Sequence, residues 1–432
     1  MNERDVKYNA FVESDEKNNR GRLVNSCAEL GYLLKNPTVN EIFSKHYLND
    51  ILAYATTFSE YYKNYRGFKS LSDFPIMKKQ DLKDNWDLIA IKEIPADEVI
   101  TKYTSGSTGT PFKMIMDKYK HARWIAGNKE LRAIDGVRSH EKTMFISANV
   151  ADKKIPMERQ DRDNVYYLDY RYLGDDEFSE ILNRMEEENF KTMTAISSVY
   201  EALAKYIKAG KAPAWKGDLI AVFAMSELLK ESTREVIQDY FKCPMYSYYA
   251  NEENGAFAIE DGSGNGHLVN TVDYFFEVLK MDCDEPAEDG EVGRLVITDY
   301  FNKAFPVIRY ENGDLVSMKH MEDGSVYIQK IMGRVADVLY TTDGVMVDIF
   351  HAISFLEPFQ DIKQFQLVQH DYDQLTWVLN TDNHSYEEFI VQESKKLFGE
   401  NVSIKFEYVN EIPKLRSGKT RMTVCQITEN NK

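Results

Sequence analysis

"DLIAVFAMSELLKESTREVIQDYFKCPMYSYY" occupies residues 218–249, and it reads as a strand, a helix and a second strand. "DLIAVFAM" is a short apolar run of the kind a strand buried on both faces requires. "LLKESTREVIQDYF" repeats its apolar residues at helical spacing, and "CPMYSYY" opens the next strand. That succession predicts α/β units and a largely parallel sheet. The pattern extends upstream. "KYKHARWIAGNKELRAI" (118–134) reads as helix and "KTMFISANV" (142–150) as a buried strand. "SSVYEALAKYIKAG" (197–210) reads as a helix with a serine start and Gly210 as its stop. Between Thr38 and Tyr65, the residues Ile42, Phe43, Tyr47, Ile51, Leu52 and Ala55 recur at helical spacing, until "DFPIMKKQDL" breaks the pattern at Pro75.

Past Gly290 the texture changes. "GRLVITDY", "FPVIRY" and "GSVYIQKI" are strand-like and separated by Gly, Asn and Asp turns. From about Asp337 a smaller unit follows: a hairpin in "KQFQLVQHDYDQLTWVLNT", a helix in "YEEFIVQESKKLF" and a closing strand in "NVSIKFEYV". The reading is α/β, with two domains at residues 1–336 and 337–432.

The chain has 432 residues, enough for more than one domain, and a formal net charge of −17. So acidic a balance argues against a nucleic acid or an anionic membrane as the main partner. No apolar run approaches a membrane span, and the polar first 22 residues hold no signal-peptide core. Cys27, Cys243, Cys283 and Cys425 are scattered, without a CxxC pair or a matching His. Neither a disulfide framework nor a structural zinc site is expected, and the expected home is the reducing cytoplasm.

"KYTSGSTGTPFKM" (102–114) places Gly106 and Gly109 among the hydroxyls of Ser105, Ser107, Thr108 and Thr110. Glycines permit positive φ, and successive N–H groups in such a turn converge on an anion. The stretch is no Walker A loop, because Pro111 stands where that motif needs its second glycine. Taken alone, it is as well explained by a surface turn. Four further segments single themselves out: "YYANEENG" (248–255) at a strand end, "IRYENGDL" (308–315) with Asp314 in a turn, "GRVADVLYTTDG" (333–344) at the domain boundary, and the basic loop "PKLRSGKTR" (413–421).

In this order the five motifs resemble the adenylate-forming superfamily of acyl-CoA synthetases and adenylation domains. The subfamily most similar is that of phenylacetate-CoA ligases and the CapK-type proteins of capsule and exopolysaccharide clusters. The resemblance runs from about Tyr47 to Thr420. It implies a large N-terminal domain of mixed and parallel sheets with helices, and a small mobile α+β C-terminal domain.

The resemblance also implies roles. Ser105, Gly106, Ser107, Thr108 and Gly109 would close over the phosphates of ATP. Tyr248 would stack on adenine, Asn251 would face the phosphates and Glu252 would hold Mg²⁺, whose usual partners are one or two carboxylates with phosphate and water. A solvated acidic loop is the other account of Glu252 and Glu253, and Glu253 is left out of the metal set. Ser226 and Glu227 of "MSELL" would line the adenine pocket, although a helix N-cap explains Ser226 equally well. Asp314 would accept the ribose hydroxyls, Arg334 would contact the nucleotide and Asp337 would be the hinge. Lys419 would offset the repulsion between carboxylate and α-phosphate. Glu252, Thr108 and Lys419 form the catalytic set, and Tyr200 is a candidate wall of the acyl pocket. Phe112 departs from the family, which often has lysine there, with Lys113 one place later.

The expected reaction joins a carboxylic acid to ATP as an acyl-adenylate, then transfers the acyl group to CoA. An amine, a carrier protein or a sugar is the alternative acceptor, and a non-catalytic nucleotide-binding scaffold is the alternative of another class. Some relatives carry a cysteine-ligated zinc beside the Glu252 motif. Here Glu260 and Asp261 stand in the cysteine's place and His267 lacks cysteine partners, so no zinc is expected.

Overall fold

The computed structural model describes the whole chain apart from residues 1, 104–111, 148–154, 170–172, 335–337, 348–354, 357–358, 360, 414–420 and 428–432. Three helices open it: α1 (Glu3–Asn19), α2 (Arg22–Leu34) and α3 (Pro37–Phe58). Pro37 suits the start of α3, where its missing N–H would have no helical partner. The short helices α4 (Lys79–Asp84) and α5 (Trp86–Ile89) precede a hairpin of β1 (Val99–Tyr103) and β2 (Lys113–Asp117), whose connection is the glycine loop. Next comes α6 (Lys118–Ile134), as the periodicity predicts. Its N-cap Asp117 accepts the backbone N–H groups of Tyr119 and Lys120.

The crossover units then follow: β3 (Thr143–Ser147), α7 (Met157–Asp163), β4 (Val165–Asp169), α8 (Asp175–Glu187), β5 (Thr192–Ile196), α9 (Ser197–Lys208), β6 (Ala221–Met225), α10 (Glu231–Phe241) and β7 (Met245–Asn251). Six antiparallel-paired strands complete the large unit: β8 (Gly255–Glu260), β9 (His267–Val269), β10 (Tyr274–Leu279), β11 (Val292–Asp299), β12 (Tyr310–His320) and β13 (Val326–Arg334). Among the described residues these make one eleven-stranded sheet in the order β10-β11-β12-β13-β9-β8-β7-β6-β5-β3-β4. Only the β3–β7 half is parallel.

The parallel half is covered on both faces. Val222 and Ala224 of β6 pack with Leu203 of α9 and Ile237 of α10, while Ala221 and Phe223 pack with Leu131 of α6. This is why residues 219–225 are apolar throughout. At an apolar burial free energy of ~25 cal/mol per Å², the core side of α9, with Val199, Tyr200, Leu203 and Ala204, holds that helix better than its helix propensity could.

Two sequence expectations fail here. "FPVIRY" is not a strand before Tyr310: Pro306 offers no N–H, and Arg309 has φ +48°. Asp314 lies within β12 rather than in a turn. Gly313, at φ +86°, is absorbed by a strand whose register slips just beyond it, between Leu315 and Val316.

The small unit holds the hairpin β14 (Leu339–Tyr340) and β15 (Met346–Val347), then a sheet in the order β18-β17-β16-β19. Its strands are β16 (Gln364–Asp371), β17 (Gln374–Asn380), β18 (Ser403–Tyr408) and β19 (Thr423–Cys425). They pack with α11 (Glu387–Phe398) around Trp377, Ile390 and Phe398.

Candidate active site

The turn between β7 and β8 is the centre of the site. Strand alternation sends Tyr248 and Tyr249 to opposite faces. Tyr248 faces α6: its ring lies among Leu131, Phe223, Ala256 and Ile259, and its hydroxyl donates to Asn128 Oδ1 at 2.6 Å. Burial pushes that phenol upward, so it stays a neutral donor. Tyr249 faces the other way and donates to Asp314 Oδ2 at 2.5 Å, and Asn312 Nδ2 reaches the same oxygen at 2.8 Å. The tyrosine bonded to Asp314 is therefore Tyr249, while Tyr248 is turned toward α6.

A similar contrast between neighbours recurs four residues on. Glu252 is exposed in the turn, whereas Glu253 is buried, which corrects the reading of Glu253 as a solvated loop residue. Lys79 of α4 pairs with Glu253 at 2.8 Å. The segment before α4 reaches this place because Met77 pairs in parallel with Tyr310, exchanging backbone hydrogen bonds with Arg309 and Glu311. Asn251 closes the turn, its Oδ1 accepting Asn254 N at 2.8 Å.

Ser105, Gly106, Ser107, Thr108 and Gly109 lie outside the described residues, but both flanks of their loop arrive at this turn. On one side, Lys102 Nζ stands 3.2 Å over the ring of Trp124, and Trp124 closes against Gly255. A Cβ on Gly255 would fall 2.5 Å from Trp124 Cδ1, and its φ of +118° also disfavours a side chain. On the other side, Phe112 is buried and Lys79 Nζ lies 5.9 Å from its ring centroid. Lys113 turns away, its Nζ 4.5 Å over Trp86.

The remaining candidates separate. Asp314 of β12 and Arg334 of β13 are partners across the ladder. Ser226 has φ +69° at the end of β6, a strained setting for a non-glycine residue. It does not cap α10, whose N-cap is Lys230. Glu227 works locally: its Oε2 accepts Ser198 N at 2.9 Å, and Ser197 Oγ donates to its carbonyl, so it caps α9. Tyr200 is fully buried, its hydroxyl 3.0 and 3.2 Å from the carbonyls of Met193 and Phe223. It is a core residue and no pocket wall. Asp337 and Lys419 lie outside the described residues.

Where a zinc-ligating cysteine would stand, Glu260 accepts Arg234 Nη1 and Nη2, each at 2.9 Å, and Ser247 N at 2.6 Å. Asp261 accepts Tyr327 Oη at 2.7 Å. Among the described residues no three His, Cys, Asp or Glu side chains are grouped to hold a metal. Magnesium at a phosphate site usually takes one or two protein carboxylates; at this turn Glu253 is a single carboxylate, paired with Lys79. No helix among the described residues is long and apolar enough to cross a membrane.

Residues 339–426 match the family model of the CapK C-terminal domain. The Protein CapK of Staphylococcus aureus is 26% identical over 378 residues, spanning 83% of this chain and 81% of that one. A 2-hydroxyisobutyryl-CoA ligase in its postadenylation state, in complex with an adenylate, superposes with a TM-score of 0.68 at 16% identity, over 89% of each chain. The chain is thus similar to CapK and shares the fold of that ligase. The same ligase in its thioesterification state fits this chain less closely, at 0.56. The amide bond synthetase McbA from Marinactinospora thermotolerans fits at 0.53 and 13% identity, over 76% of this chain and 69% of its own.

Proposed function

We propose that this chain activates a carboxylic acid with ATP and passes the acyl group to an acceptor. One observation carries the reading: the two flanks of the hydroxyl-rich glycine loop meet at the buried Glu253 turn, through Trp124 on one side and Lys79 on the other. Glu253 and the Asp314–Tyr249 pair both lie toward the carboxyl end of β7, where α/β sheets bind ligands, which supports reading this end as the nucleotide site.

In the first step a carboxylate oxygen attacks the α-phosphorus, the bond to the β-phosphate oxygen breaks, and pyrophosphate leaves. Lys419 supplies positive charge as two anions approach, and the loss of one such preorganised contact costs on the order of 10²–10³ in rate. Glu253 would hold Mg²⁺, which neutralises phosphate charge when bound. Tyr249 and Asp314 orient the nucleoside, with Tyr249 and Glu253 each one residue on from the Tyr248 and Glu252 of the motif. In the second step the acceptor's nucleophile attacks the acyl carbon, AMP leaves and the nucleophile's proton passes to water. CoA, through its thiol, is the first-choice acceptor, and an amine is the second. The fold shared with a CoA ligase and an amide bond synthetase supports both. The small unit, beginning near Asp337, would swing between the steps as a hinge absorbs the change in φ and ψ.

Pyrophosphate release from ATP over aryl, hydroxy, fatty and amino acids, with and without CoA, tests the proposal. Acid-dependent release supports it. ATP binding without release for any acid favours the non-catalytic scaffold.

A further inference from the structure

Lys120 and Asp299 form an ion pair at 2.7 Å with both side chains wholly shielded from water. Burying two charges costs several kcal/mol each before their attraction repays it, so such a pair is poor evidence for stability alone. Its surroundings show what else it does. Lys120 Nζ also donates to Tyr274 Oη at 3.1 Å, and Tyr274 Oη donates to the Asn254 carbonyl at 2.5 Å. An ammonium has only donors, so the phenol hydrogen is left for Asn254. At the other end, Asp299 Oδ1 accepts Phe301 N at 2.9 Å and Asn302 N at 3.2 Å, which locks the loop after β11. Lys120 itself sits in the first turn of α6, where Asp117 Oδ2 also takes Lys303 N at 2.9 Å.

The turn that carries Glu253 is thus gripped twice, by Asn251 from within and by Tyr274 from beneath. We propose that Lys120, Tyr274 and Asp299 form a buried strut that fixes the Asn254 carbonyl and so aims Glu253 at the nucleotide. They are positioning residues for phosphate chemistry, and this rests on the reading of the site given above. The strut joins α6, the helix that follows β2, to the turn that carries Glu253.

Tyr274→Phe tests it. The ring meets Phe257 and Phe276 edge-on, and those contacts survive the loss of the hydroxyl. Hydrogen exchange in a peptide spanning 251–255 is expected to quicken at least tenfold, while peptides of β5 and β6 stay unchanged. With an acid found to drive pyrophosphate release, kcat should fall about tenfold and the Mg²⁺ requirement should rise, at an unaltered KM for the acid. Unchanged exchange at 251–255 overturns the strut. Faster exchange with unchanged kcat and Mg²⁺ requirement overturns its positioning role. Faster exchange in a protein whose wild type releases no pyrophosphate overturns the reading of the site but leaves the strut standing. If Tyr274→Phe does not fold, Asp299→Asn is read by the same measurements, since its Oδ1 can still accept Phe301 N.

Discussion

Lys79 Nζ stands 2.8 Å from Glu253 Oε1, and Glu253 is only 6% exposed. An acidic side chain buried this far is rare unless it is paired. Here the pair joins an early helix to a turn more than 170 positions later in the chain. Glu253→Gln should reduce acid-dependent pyrophosphate exchange about 10²-fold, whereas Glu252→Gln should stay within about threefold. Steady-state exchange of both variants at several Mg²⁺ concentrations decides between the two registers. Equal losses, or a larger loss for Glu252→Gln, would restore the register of the motif.

Removing the lysine should act differently. Lys79→Met leaves a buried carboxylate without its counter-charge and should destabilise the fold by ~1–3 kcal/mol, less than a fully buried pair because Lys79 is partly solvated. Denaturant unfolding reads this directly. A double variant, Lys79→Met with Glu253→Gln, should recover most of the loss.

The tyrosines give a paired prediction. Tyr249→Phe removes the donor to Asp314 and should raise the KM for ATP about tenfold, equivalent to ~1.4 kcal/mol. Tyr248→Phe removes a donor to Asn128 and should cost ~1 kcal/mol of stability with the KM for ATP unchanged. The opposite pattern would place Tyr248 at the nucleotide.

Asp135 supplies a pH test. Burial first, then the nearby Asp261 and Glu260, pushes its carboxyl up to about 8. Between the ordinary aspartate value of about 3.9 and that level, the folded protein keeps a proton the unfolded chain has lost. Stability therefore falls as pH rises through this window, and the penalty is complete above it. Asp135→Asn should be more stable than the wild type at pH 8.5, by ~1–3 kcal/mol after allowing for partial solvation. The difference should shrink toward pH 4. A constant difference across that range would show that Asp135 does not titrate there.

Much of this arrangement is legible in the amino-acid order, and what is not has a physical cause. The helix Lys118–Ile134 is read to the residue because its cap and periodicity are local. The choice between Tyr248 and Tyr249, or Glu252 and Glu253, is not local. Adjacent residues of one type differ only in the direction the strand or turn gives them, and partners more than 60 positions away, Asn128, Asp314 and Lys79, fix that direction. Gly313 makes the sequence read as a turn at Asp314, while pairing with β11 and β13 draws the segment into a strand. Tyr200 shows the reverse limit. A tyrosine on an apolar helical face reads alike for a pocket or a core, and only its contacts with the Met193 and Phe223 carbonyls decide.

Lys419 carries the prediction on catalytic charge. Lys419→Ala should lose at least about 10²-fold in acid-dependent exchange while ATP still raises the melting temperature. Undiminished exchange would remove it from the chemistry.

The most direct measurement is the fate of ATP when the purified protein meets a panel of carboxylic acids. Release of AMP and pyrophosphate in proportion to one of those acids is the predicted result. ADP and inorganic phosphate as the products, with no pyrophosphate formed, would contradict adenylate formation at this site.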